Sequence, residues 1–153
     1  MIQLASIIVS HAEKESQPTQ RVNKKMHLLT DCLISVLAYV SSVEDPTRFS
    51  RSRSVGAHFG LTPKQYQSGE IDRSGRISKY GDSLTRTLMY EAATVLLRRV
   101  KRPSSLQDWA QAIARRSGEG KARVALARKL SVILHSIWRS GEPFRWSELQ
   151  VAA

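Results

Sequence analysis

The hydrophobic and polar positions divide the chain into unequal blocks. Residues 28–43, LLTDCLISVLAYVSSV, are mostly apolar. Their length favours a buried helix, while the Val, Ile and Tyr content leaves a strand open. Asp45-Pro46 ends that block, because a residue before proline avoids helical backbone angles. A short helix is predicted over Arg51 to Phe59, with Gly60 placed to supply a left-handed C-terminal cap. Further on, Leu84, Leu88, Ala92, Val95 and Leu96 recur at three- and four-residue spacing. They predict an amphipathic helix over residues 83–100 with Asp82 as its N-cap. Pro103 closes it. Ser104 or Ser105 caps a second helix carrying Leu106, Trp109, Ala110, Ile113 and Ala114 on one face. Gly118 and Gly120 mark the next break. A last helix over about Lys121 to Arg139 turns Ala122, Leu126, Leu130, Ile133, Leu134 and Ile137 inward, and Gly141 closes it.

Between these helices residues 60–82, GLTPKQYQSGEIDRSGRISKYGD, have no helical period. Gly60, Pro63, Gly69, Gly75 and Gly81 punctuate a polar stretch, which predicts an ordered loop or a short irregular hairpin around Asp72 to Gly75. The fold expected is therefore mainly α: a small helical domain with a Gly/Ser/Arg-rich loop or short hairpin between helices. Residues 1–27 read as a flexible lead-in, residues 28–146 as the domain, and residues 147–153 as a tail.

Composition narrows the function classes. In 153 residues there are 24 Lys and Arg against 13 Asp and Glu, a formal charge of +11. A polyanion is the expected partner, nucleic acid ahead of an anionic membrane. No run of about 18 apolar residues predicts a membrane span. The N-terminus lacks the basic flank and cleavage site of a secretory signal. The single cysteine, Cys32, excludes an internal disulfide framework and a Cys-based zinc site, and reads as an inert buried thiol in a reducing, cytoplasmic setting.

The charge is unevenly placed. Residues 98–129 hold ten cations (Arg98, Arg99, Lys101, Arg102, Arg115, Arg116, Lys121, Arg123, Arg128 and Lys129) against Asp108 and Glu119. Off the apolar faces of three helices, they either form one basic, nucleic-acid-binding surface or are ordinary solvated helix faces. The loop adds hydroxyls at Tyr66, Ser68, Ser74 and Ser78, and cations at Lys64, Arg73, Arg76 and Lys79. A serine beside glycine among arginines has the chemistry to attack or hold a phosphodiester. A Ser-Gly pair is also a common turn, and no general base or metal set stands near it. His11, His27 and His58 show no ligand spacing, so no metal site is expected in this chain. His135, Trp109 and Trp138 read as core residues. Trp146 either packs the tail or stacks on a base.

Several runs, taken in order, resemble one family. They are Asp45-Pro46-Thr47-Arg48-Phe49, then Arg53 to Pro63, then Gln67-Ser68-Gly69-Glu70. Gly75 to Asp82, Arg86, Glu91-Ala92-Ala93 and Ala125 to Leu130 follow. The chain is similar here to the C-terminal transposase domain of the DEDD-type, RNA-guided insertion-sequence transposases, the IS-one-ten family and relatives of the Piv invertase. The resemblance implies DNA recombination directed by a structured guide RNA, in multimeric complexes that make a homo-oligomer the expected state. It also implies a separate domain of four acidic residues that binds magnesium, and a serine nucleophile that maps onto Ser68. Lys64, Arg73, Arg76, Lys79 and Arg86 are assigned as contacts to DNA or guide RNA by charge and position. Two features depart from the family: no four-acid segment precedes Leu28, and Met26 to Asp31 lacks the family's Pro-Gly-x-Gly hairpin. Three readings follow. The chain is a transposase part inactive without a separately encoded acidic domain, or a non-catalytic nucleic-acid-binding remnant of a truncated gene, or a basic helical domain with no present function.

Overall fold

The computed structural model describes residues 33–68, 71–100 and 104–142. The expectations for residues 1–27, Cys32, Lys101, Arg102, Trp146 and the tail lie outside these. The architecture is mainly α, as the patterning predicts. Helix α1 takes in residues 33–43, so the described part of the ambiguous apolar block is helical. Two 3-10 turns, Pro46–Arg48 and Ser52–Ser54, lead into the short α2, Val55–His58. The expected helix from Arg51 is thus broken into a turn and one α-helical turn. Strands β1 (Pro63–Ser68) and β2 (Ile71–Ile77) form an antiparallel hairpin. Helices α3 (Ser83–Arg98), α4 (Ser105–Ser117) and α5 (Glu119–Ser140) complete the chain.

Local chemistry accounts for the boundaries. The Asp82 carboxylate accepts from the backbone N–H groups of Leu84 and Thr85, 3.0 Å each, and so starts α3. The Ser104 hydroxyl accepts from Gln107 N–H at 3.2 Å and starts α4. Gly118, at φ +90°, is the joint between α4 and α5, and Gly120 lies inside α5 rather than in a break. At the end of α2, Gly60 adopts φ +64°. Its N–H reaches the Ala57 carbonyl at 2.9 Å, and Leu61 N–H reaches the Gly56 carbonyl at 2.9 Å. That pair of bonds is a Schellman cap, with Leu61 buried behind it.

The long α5 is the axis of the fold. It packs on α3, α4, α2 and both 3-10 turns. The core gathers Tyr39, Val43, Val55, Phe59, Met89, Ala93, Leu96, Leu106, Ala110 and Leu126. Two polar groups buried against α5 are partnered: Tyr39 OH donates to the Ser131 carbonyl at 2.7 Å, and the Ser131 hydroxyl to the Ala127 carbonyl at 2.9 Å. The inward face of α3 departs from the expected phase. Thr85, Met89, Ala93 and Leu96 are buried, while Leu84 is 59% exposed. Thr85 can occupy a core position because its hydroxyl bonds the Asp82 carboxylate and lies 3.1 Å from the Ala38 carbonyl, which removes the cost of desolvation.

A candidate nucleic-acid interface

Ser68 is the last residue of β1. It pairs with Ile71, so residues 69 and 70 connect the strands, and Ser68 stands exposed at the hairpin tip. The turn is therefore earlier than the expected Asp72 to Gly75, and those residues belong to β2. Gly75 serves another purpose. Pro63 pairs with Ile77 but Gln65 with Ser74, so Gly75 and Arg76 together oppose Lys64 in a bulge. A Cβ on Gly75 would come within 2.7 Å of the Tyr66 ring, so only glycine lets that ring lie across the strand.

The base of the hairpin is tied to the helices. Ser78 N–H donates to the Thr62 carbonyl at 2.8 Å, and Lys79 N–H to the Gly60 carbonyl at 3.1 Å. Gly81, at φ +78°, approaches so closely that a Cβ would sit 2.0 Å from the His58 carbonyl oxygen. The Arg86 guanidinium, one turn into α3, donates to the carbonyls of Phe59, Lys79 and Tyr80 at 3.3, 3.1 and 3.2 Å. A single cation thus gathers three carbonyls from the two chain segments that enter and leave the hairpin.

The predicted cations fall into groups. Lys64, Arg76 and Lys79 are exposed on the hairpin, and Arg73 stands opposite Tyr66 in the register. A second group meets where α3 and α4 end and α5 begins: Arg98, Arg99, Arg115, Arg116, Lys121 and Arg123. Cations at the ends of α3 and α4 also complement the helix dipoles. Glu119 draws two of them in. Arg98 contacts its carboxylate at 3.0 Å, and Arg123, one turn on, bonds the same oxygen. These two neighbours hold the Glu119 carboxyl below its ordinary range. The 16-residue α3 separates this group from the hairpin by about 24 Å. Arg128 and Lys129 lie apart from both. The Arg128 stem crosses Gly56, and Lys129 Nζ sits 4.5 Å from the centre of the Trp109 ring.

A third basic region was not among the predicted site residues. Arg48, Arg51, Arg53 and Arg139 are exposed around the 3-10 turns, and Arg139 donates to the Ser50 carbonyl at 2.8 Å. His135, one turn earlier on α5, is fully buried beneath it. Its Nε2 donates to the Pro46 carbonyl and its Nδ1 meets the Ser52 hydroxyl, 2.9 Å each. The i, i+4 spacing of His135 and Arg139 was legible, but their targets 89 residues earlier in the chain were not. Among the described residues no group of three or more His, Cys, Asp or Glu is gathered to hold a metal ion. No described helix is long and apolar enough to cross a membrane.

Comparison with known proteins places this arrangement. The profile of the Transposase IS116/IS110/IS902 family matches residues 33–110, from α1 into α4 and across the whole hairpin. The chain is 36% identical over 113 residues to the transposase for insertion sequence element IS1111A of Coxiella burnetii, over 73% of this chain and 31% of that protein. It is 34% identical over 108 residues to the putative transposase y4pF/y4sB of Sinorhizobium fredii, over 69% of this chain and 28% of that protein. A probable family 20 transposase of Pseudomonas aeruginosa is 33% identical over 105 residues, over 68% of this chain and 31% of that protein. The chain spans about a third of the length of these curated relatives. With its fold, its hairpin and more than half of its residues inside the matched region, the chain belongs to the IS116/IS110/IS902 transposase family.

Proposed function

We propose that the chain serves in transposition of an insertion-sequence element, as a part that binds DNA and offers Ser68 as the nucleophile. The carrying observation is the placement of Ser68, exposed at the tip of a basic hairpin whose base is fixed by Arg86. In the step this supports, Ser68 Oγ gives up its proton and bonds to a DNA phosphorus. The bond from that phosphorus to a deoxyribose oxygen breaks, and the released oxygen takes up a proton. Lys64, Arg76 and Lys79 offset the charge on the phosphoryl oxygens. The proton acceptor comes from outside the described residues. Magnesium, implied for full-length relatives, finds no fitting ligand set among them. A guide RNA, a separately encoded acidic domain and further copies of the chain remain the partners that the family resemblance suggests.

A second reading, non-catalytic nucleic-acid binding, draws on the cations at the start of α5, which lie about 24 Å from the hairpin along α3. Binding isotherms at several salt concentrations test the shared part of both readings. Duplex DNA affinity falls steeply with salt, and replacing Lys64, Arg76 and Lys79 by glutamine lowers the log–log slope by about 3. An affinity that does not change with salt refutes DNA binding by these cations.

A further inference from the structure

Two large aromatic rings are uncovered on the hairpin. Tyr66 is 58% exposed and Tyr80 72%. Neither belongs to the core, and the attack by Ser68 uses neither. On β1, Lys64, Tyr66 and Ser68 alternate with Pro63, Gln65 and Gln67, so those three share one face. Tyr66 is held across the strand by the space at Gly75. Tyr80 is fixed from behind, because its carbonyl accepts from Arg86 and its backbone closes on Gly60. Lys64 Nζ lies 5.8 Å from the centre of the Tyr80 ring. From tip to base, the face offers a hydroxyl, a ring, a cation and a second ring, with Arg76 and Lys79 nearby. A ring carried on fixed backbone loses less freedom when something stacks on it than one on a mobile loop.

We propose that this face is a stacking platform for unpaired nucleotides of a single strand, with Tyr66 and Tyr80 taking bases and Lys64, Arg76 and Lys79 taking phosphates. Paired bases inside a duplex present edges, whereas an unpaired base presents the flat face that a tyrosine ring accepts. The spacing agrees. Two residues along a strand advance about 6.8 Å, twice the roughly 3.4 Å rise of a stacked nucleic-acid strand. A stacked duplex strand therefore cannot put successive nucleotides on Tyr66 and Ser68, but an extended one can. The inference deepens the proposed role of Ser68: the strand to be attacked is opened beside the nucleophile. The same face fits DNA and RNA.

Fluorescence anisotropy with the 153-residue chain tests the platform. The probes are a labelled oligothymidylate, the matching oligouridylate and a duplex of equal length. Tyr66→Ala and Tyr80→Ala each weaken single-strand binding by about tenfold or more, while duplex binding changes by less than twofold. Tyr66→Phe and Tyr80→Phe keep the rings and restore single-strand affinity. The strand that loses more, DNA or RNA, is the one the platform recognises. Alanine variants that bind single strands like the parent overturn the proposal. So does an equal loss on single strands and duplex, which marks a damaged fold or a purely electrostatic patch. Binding does not need the Ser68 hydroxyl. If the parent chain, supplied with an acid-bearing domain and magnesium, forms no covalent product on Ser68 while single-strand binding still depends on the two rings, the nucleophile reading fails and the platform stands.

Discussion

At the scale of single residues, His135 shows how a buried polar group can define a fold. Both ring nitrogens have partners and the ring meets Phe49 edge-on, with centroids 5.7 Å apart. His135→Leu takes the ring's hydrogen bonds from the partly buried Pro46 carbonyl and Ser52 hydroxyl. It is expected to cost about 2–4 kcal/mol in urea unfolding, and His135→Gln, which keeps a donor, costs less. Asp82 gives a pH signature. The Thr85 hydroxyl above all, then the N–H groups of Thr85 and Leu84 and the charge of Arg86, hold its carboxyl below the ordinary aspartate range. A lowered folded value stabilises above the ordinary value near 4 and is lost as pH falls through the folded one. The stability gap between the parent and Asp82→Asn is therefore expected to narrow below about pH 4 in thermal melts. The buried position beside Asp82 was hard to read from sequence. Leu84 looked inward by hydropathy, yet Thr85 goes in because its hydroxyl bonds the Asp82 carboxylate with the Ala38 carbonyl 3.1 Å away. One residue of phase turns a helix by a quarter turn or more, and only these distant partners decide it.

At the scale of elements, the helices were legible and the hairpin only half so. Caps at Asp82, Ser104, Gly60 and Gly141 act on adjacent residues, so local sequence specifies them. None of the hairpin side chains described is buried, so no core imposes a pattern on them, and Gly69 and Gly75 both read as turn residues. Register alone shows that Gly75 makes room for Tyr66. Arg86 was expected to touch nucleic acid, whereas its guanidinium is engaged with three carbonyls under the hairpin. Arg86→Met is expected to cost about 2 kcal/mol. Hydrogen exchange then speeds up at Ser78 and Lys79, whose amides close the hairpin base, before it does in α5. Unchanged protection at those two amides would show that Arg86 does not hold the base. Helix α1 carries a different strain, because Glu44 ends it at φ +62°. Glu44→Gly is expected to stabilise the fold by about 0.5–1 kcal/mol, read from denaturant midpoints.

At the scale of the molecule, the exposed cations among the described residues are spread over the hairpin, the α3–α4–α5 junction and the 3-10 turns. Composition fixed the sign of the charge, but not this separation, which follows from the packing of α5 against α3 and α4. The arrangement suits the proposed function, in which nucleic acid is held in more than one place while one hairpin reaches for a phosphate. Mutual repulsion among these cations also gives salt two opposite effects. Moderate salt is expected to raise the melting temperature while weakening DNA affinity. The central claim is that the hairpin tip supplies the nucleophile. The direct measurement mixes the chain with an acid-bearing domain of a full-length relative, magnesium and element-end DNA, then maps any protein–DNA crosslink by mass spectrometry. A phosphodiester on Ser68, absent from Ser68→Ala, is the expected result. An adduct on another residue, or one formed equally by Ser68→Ala, contradicts it.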